Sequence, residues 1–591
     1  MVQPADRAIA APALPLPRRM AGQVGFPVLT SLGWPALWLA FGLLLIFPTG
    51  AFLILAFSPR LFDQGPQWLT LANFAFAFQG AAVHGLLDSL LVGCSTAFLA
   101  LCCALILALV LQRTTVAGKG FWSICIWALL LMPSYLYVLG WESLVQQNGV
   151  LQQLGITVPL LQHLILGPVG VIWILAMKGM PFGFLAISVA LAGLGREFED
   201  AARVHGASRG AALRVVIPIL APALWSAIAI VFAESISDFG VASTLAATAH
   251  FPLATYTLYQ AIDNMPIEFP VASAVGWFLI AGAGGALFVQ YRALKGRSYA
   301  VLSGRTRPAS PRRLTRQGQL GLLAGLLLFF LIALGVPVLG AVSASLLQGF
   351  GSTFTADQLT LGNYQRALNS QDLRAPLLLS FKLAALGATC AIVLGTIVGR
   401  LLARRRVGWS GRALDLLLLG AIALPGIVLA AGYIFAYNLP LFSTLGVSLY
   451  GSVFLLGMAY LAGALPSTTR LLAGPLAQVQ RSMTDAARVH GAGEVHATMT
   501  IVVPLLGRAL LWAWLLTFSA ILLELPVSQL LYPPGQEPLA VAVVKHLANY
   551  DFGGGSAMMI TALLGMLAMI ALASGFFRLL TPRGWQRGRT R

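Results

Sequence analysis

The sequence predicts an all-α polytopic membrane protein, with about 12 transmembrane helices in two parallel six-helix repeats. Three observations predict it. Of the 591 residues, 58% are apolar and only 9% are charged, against about 25% charged in an ordinary soluble domain. Many uncharged stretches reach the roughly 20 residues that cross hydrocarbon as a helix. And the run DAARVHGA at Asp200–Ala207 recurs letter for letter at Asp485–Ala492, as a tandem duplication leaves behind.

The elements follow in order. A Pro/Ala-rich tail, 1–33, carries Arg7, Arg18 and Arg19. The apolar run after it is too long for a cleaved signal peptide and reads as a first span. The first repeat, 34–291, then predicts spans at about 34–57, 87–111, 121–141, 168–192, 218–240 and 270–291. Pro133 lies inside the third, and Lys178 and Pro181 inside the fourth. A polar loop, 193–217, separates the fourth from the fifth. Residues 292–318 form a basic linker with Pro308 and Pro311, read as a flexible joint. The second repeat, 319–577, has spans at about 319–346, 377–401, 413–436, 450–472, 502–524 and 556–577. Its polar loop is 473–503, and a basic tail, 578–591, closes the chain.

Matched anchors support the duplication: Asn73 with Asn363, Pro133 with Pro425, Gly140 with Gly432, and Pro181 with Pro466. An even number of spans per half gives both halves one orientation. Assigning the termini, the even-to-odd loops and the linker to one side collects 31 of the 37 Lys and Arg there. Basic residues mark the cytoplasmic side, so both termini and both DAARVHGA loops are expected in the cytoplasm. The same bias accounts for the net charge of +18 without nucleic acid. The five cysteines all fall in apolar segments without a CxxC pair, and read as buried small residues. Tyr135, Tyr137, Trp141 and Tyr433 read as interfacial aromatics near span ends.

In each loop an acid, Asp200 or Asp485, suits a helix start. The following pairs, Ala201-Ala202 and Ala486-Ala487, favour helix and close approach of another surface. Gly206 or Gly491 permits a break, and Pro218 or Pro504 is placed to open the next span. Two short helices projecting from the membrane result, with His205 and His490 capping or packing within them. The stretch from Gly491 to Pro504 is one position longer than that from Gly206 to Pro218.

This pattern resembles the EAA loop of the membrane permeases of binding-protein-dependent ATP-binding cassette importers, with Asp in place of the usual Glu. The resemblance implies a type I importer-like permease fold and loops that dock on an ATPase. Ser237-Asp238-Phe239-Gly240, Arg297-Ser298-Tyr299-Ala300, Leu523-Glu524-Leu525-Pro526 and Tyr532-Pro533-Pro534-Gly535 further resemble fused ferric-iron permeases. Permeases for 2-aminoethylphosphonate and thiamine look alike, and polyamines stay open too. The resemblance implies as partners two copies of a cytoplasmic ABC ATPase, a periplasmic substrate-binding protein and the lipid bilayer. No cofactor is expected on this chain, and ATP would bind the partner ATPase. No G-x-x-x-x-G-K-[ST] loop occurs in the sequence, so ATP hydrolysis by this chain is not expected. Neither a catalytic nor a metal-ligating set stands out. An ion-coupled secondary transporter is the competing class for a six-plus-six protein.

Charges inside spans mark pathways or partners, since each costs about 2.5–3.5 kcal/mol at mid-bilayer. Lys178, Glu234, Asp238 and Glu524 are the candidates for the translocation path. Asp238 and Glu524 lie equally far beyond Pro218 and Pro504. About 20 residues of helix span about 30 Å, so solvation at the far end of the span is the expected state of both. Glu234, one turn deeper, has Lys178 as its expected partner.

Overall fold

The computed structural model describes residues 27–194, 204–206, 209–295, 311–348, 358–402 and 408–580. The first half runs α1 (Trp34–Leu55), α2 (Gly80–Arg113), α3 (Lys119–Leu131), α4 (Ser134–Val145), α5 (Pro168–Gly193), α6 (Arg209–Ser237), α7 (Ala254–Asp263) and α8 (Phe269–Leu294). The second half repeats the order with α9 (Arg316–Leu346), α10 (Gln371–Leu402), α11 (Trp409–Ile422), α12 (Gly426–Tyr437) and α13 (Val453–Gln478). It continues with α14 (Arg481–Val489), α15 (Glu494–Ala497), α16 (Thr498–Leu522), α17 (Pro526–Leu531), α18 (Leu539–Ala548) and α19 (Phe552–Leu580).

Among the described residues nine helices are long and apolar enough to span, and up to eleven if each of two bent pairs is one span. The bent pairs are the expected third and ninth spans. Both break sharply, by 99° between α3 and α4 and by 109° between α11 and α12. Proline is the cause: it has no N–H to give and pushes the residue before it out of the helical region. Met132 before Pro133 is accordingly extended, at ψ 121°, and Pro133 and Pro425 themselves stand outside the helical region, at ψ 150° and 138°. The remaining expected span falls on α13, a 26-residue helix that stands outside the apolar set. Its Ser467-Thr468-Thr469-Arg470 run dilutes the hydropathy, and Thr468 and Thr469 are buried against neighbours rather than lipid.

The halves interlock through their first helices. Pro48 in α1 cannot bond back to the preceding turn, and a π turn lies at Gly42–Ile46. The Leu44 and Leu43 carbonyls accept instead from the Tyr433 and Tyr437 hydroxyls of α12, at 2.8 and 2.6 Å. Gly432 lets the two backbones touch, since a Cβ there would sit 2.7 Å from the Pro48 carbonyl oxygen. In the mirror contact, α9 has its own π turn at Leu331–Gly335 before Pro337. There a Cβ on Gly140 of α4 would lie 2.0 Å from the Pro337 oxygen. Each half's first helix thus packs on the other half's broken helix.

Tyr135, Tyr137, Trp141 and Tyr433 are therefore core residues, all at most 5% exposed, rather than interfacial ones. Two cysteines also depart from expectation: Cys94 and Cys390 are exposed, on α2 and α10, while Cys125 is buried. The end of the basic linker is tied down, since Arg312 exchanges backbone hydrogen bonds with Arg113 and Thr115 beyond α2.

Candidate functional site

Two regions hold the sequence-selected residues. The first is the repeated loop. Asp200, Ala201 and Ala202 lie outside the described residues, but Val204, His205 and Gly206 are described and exposed. In the second copy α14 ends in a Schellman turn, with the Ala492 N–H reaching back to the Ala487 carbonyl at 3.0 Å. That turn needs a left-handed residue after the helix. Gly491 supplies it at φ +84°, and Gly206 holds the same conformation at φ +78°. Asp485 differs from expectation. The helix starts earlier, at Arg481, so Asp485 stands in its second turn and points to solvent with Ala486, while Ala487 is half-buried.

The matched residues Val204 and Val489 are each 85% exposed, and both histidines are exposed rather than packed. The same apolar side chain thus stands exposed at the same place in both copies. The prolines differ. Pro218 lies inside the continuous helix α6 and does not start it. Pro504 stands at the start of an α-helical stretch, after a π turn at Thr498–Val502. One extra residue between Gly491 and Pro504 widens a helix in this way.

The second region is a cavity of about 530 Å³ between the halves. The breaks at Pro133 and Pro425 line it, together with the ends of α6 and α16 and the residues that follow each. Irregular backbone at membrane depth is tolerated where it borders such a cavity. All four candidate path residues, Lys178, Glu234, Asp238 and Glu524, lie on its wall.

Their pairing corrects two expectations. Lys178 bonds Asp238 at 2.5 Å, not Glu234. Asp238 is not solvated either: its side chain is 3% exposed, and it also accepts from Ser134 Oγ (3.0 Å) and the Val241 N–H (2.8 Å). Gly240 makes the approach of Ser134 feasible, because a Cβ there would meet its hydroxyl at 2.2 Å. Across the cavity Glu524 is half-buried and accepts from the N–H groups of Val527 and Ser528, at 2.8 and 3.0 Å. Its partner Ser528 bonds Tyr460 at 2.6 Å. Glu234 makes no hydrogen bond among the described residues, and its side chain is exposed on the cavity wall.

The two halves therefore treat matched acids differently. Asp238 is neutralised by a lysine, whereas Glu524 caps a short helix. Pairing Pro181 with Pro466 sets Lys178 in register with Gly463 of α13, which has no side chain to offer Glu524. Sequence reading missed Ser134 and Tyr460 because neither carries charge or stands in a motif. Their signal was only proximity to Pro133 and to the α13 core.

Residues 391–585 match the family described as binding-protein-dependent transport system inner membrane component. Over those residues this chain is similar to the permease component of a binding-protein-dependent importer. It is 24% identical over 449 residues to a probable ABC transporter permease protein, y4fN, of Sinorhizobium fredii, covering 75% of this chain and 78% of that one. It is 26% identical over 345 residues to a putative ferric transport system permease protein, FbpB 1, of Haemophilus influenzae, covering 57% and 52%. A putative 2-aminoethylphosphonate permease, PhnV, of Salmonella typhimurium is 29% identical over 181 residues, covering 30% and 62%. This chain thus spans about half of its ferric relative's length.

Proposed function

We propose that this chain is a permease that supplies both membrane halves of its importer and carries ferric ion, delivered by a periplasmic binding protein, through the central cavity. The observation that carries the reading is the cavity's charge. It has three carboxylates, Glu234, Asp238 and Glu524, to one lysine. Asp238 and Glu524 take up wall N–H groups, Asp238 that of Val241 and Glu524 those of Val527 and Ser528. An anion entering would meet carboxylates, and a cation would meet Glu234. Thiamine and polyamines, also cationic, are the next substrates to test. The ammonium of 2-aminoethylphosphonate suits Glu234, but its phosphonate lacks a counter-charge once Lys178 is bound to Asp238.

ATP hydrolysis is assigned to two copies of a separate ATPase, one under each repeated loop. Matched exposed valines and left-handed glycines support equivalent docking. Both loops and both termini are placed in the cytoplasm by the basic-residue bias. Closure of the ATPases would bring the loops together, and the halves would rock about the cavity. The domain divisions at 34–291 and 319–577 follow from the same reading.

The test is uptake of radiolabelled ferric ion under iron limitation, with and without the permease, in cells lacking other iron importers. Loss on deletion, restored by the intact chain but not by one carrying Gly206→Leu and Gly491→Leu, is the expected result. Unchanged iron uptake with lost 2-aminoethylphosphonate uptake would overturn the substrate and leave the importer class standing.

A further inference from the structure

A groove of about 680 Å³ runs along one face of α10 toward the loop before α18 and α18 itself. Helix α10 has 32 residues, about 48 Å at 1.5 Å per residue, which exceeds the roughly 30 Å of hydrocarbon. Near its end Arg400 bonds Thr498, the first residue of α16, so this end lies on the side of the repeated loops. About 20 residues back from Arg400 is the opposite hydrocarbon boundary, which places Lys382 at the depth of lipid phosphates.

Lys382 is exposed and makes no hydrogen bond, ion pair or ring contact among the described residues. The groove's other lysine, Lys545, is bound to Glu537 at 2.5 Å. The first half shows which way Lys382 faces. Ser89 of α2 and Ser380 of α10 are equivalent, each accepting from the first N–H of the next short helix, that of Ala254 or of Leu539. Lys382 then corresponds to Leu91, which is 56% exposed on the outer surface. A lysine replaces a lipid-facing leucine. Below it, on the same helical stripe, Leu386, Val393 and Ile397 are 66%, 54% and 46% exposed.

We propose that this groove seats a zwitterionic phospholipid, its phosphate on Lys382 and its ammonium toward the carboxylates of Glu537 and Asp372. The acyl chains lie along Leu386, Val393 and Ile397. One unpaired cation matches the single charge of a phosphodiester. A headgroup with only negative charge would meet the acids with nothing to offer them, since Lys545 is taken. This site is independent of the central cavity and of the transported substrate.

The test uses the full chain purified in detergent and native mass spectrometry with phosphatidylethanolamine, phosphatidylcholine and phosphatidylglycerol of identical acyl chains. Phosphatidylethanolamine is expected to be retained most, because its ammonium can donate to carboxylates. Lys382→Met should lower that retention at least tenfold, and Lys382→Arg should keep it. Glu537→Gln frees Lys545 and should shift preference toward phosphatidylglycerol, which provides an independent readout if Lys382→Met does not insert. Equal retention by Lys382→Met and parent, or a preference of the parent for phosphatidylglycerol, would overturn the proposal. Displacement of the lipid by equimolar free phosphoethanolamine would sink the lipid assignment in favour of a soluble ligand.

Discussion

Replacing Lys178 with Met isolates the one ion pair of the central cavity. The Asp238 carboxylate is 3% exposed and would lose its cation while keeping the Ser134 and Val241 hydrogen bonds. Removing one partner of a buried pair costs about 3–5 kcal/mol, because the other charge is left buried. The two surviving bonds place Lys178→Met near the lower figure, about 3 kcal/mol. Asp238→Asn should cost less, since Lys178 is 26% exposed and keeps Glu234 close by on the same wall. The double variant should recover most of the loss, as replacing both members of a buried pair is often near neutral. Denaturant unfolding of the purified permease, followed by tryptophan fluorescence, reads these differences. The reasoning fails if Lys178→Met is as stable as the parent, or if the double variant is weaker than both single ones.

Three further outcomes are expected. Tyr433→Phe strands the Leu44 carbonyl inside the interlock of the halves and should cost about 1–3 kcal/mol, read by the same unfolding experiment. Gly491→Leu forces a side chain into a left-handed conformation at φ +84°, at a cost of about 1–2 kcal/mol. Membrane insertion should persist, while uptake per ATP hydrolysed in reconstituted vesicles falls sharply. Asp551, outside the spans, accepts from His546, the Gly554 N–H and Arg366, which hold its carboxyl well below the usual carboxylate range. A carboxyl depressed on folding stabilises above its unfolded value of about 3.9, and that stability is lost as pH falls further. Asp551→Asn should therefore lower stability at neutral pH and flatten its decline below about pH 4, measured by unfolding midpoint against pH.

The sequence by itself determined the class, the duplication and where chemistry would concentrate. These are properties of composition and period. Long uncharged runs have no other solvent than lipid, and an eight-letter run that stands unchanged in both halves is visible before any folding is known. Gly206 and Gly491 were legible as breaks because only glycine takes that conformation without strain, and both do take it. The four intramembrane charges were legible as a set because charge in an apolar span is costly.

Only the tertiary structure decided how those pieces meet. Pro133 and Pro425 looked like kinks within two crossings. They are breaks of 99° and 109°, and the first helix of the opposite half packs on the segment that follows each. The partner of Lys178 is Asp238 rather than Glu234, because a lysine's choice among nearby acids is set by where α6 ends, not by sequence distance. Tyr433 looked like an interfacial ring, yet it fills the hydrogen bond that Pro48, in the opposite half, cannot make. A missing N–H is written in the sequence. Which distant side chain comes to satisfy the carbonyl it leaves free is a matter of packing.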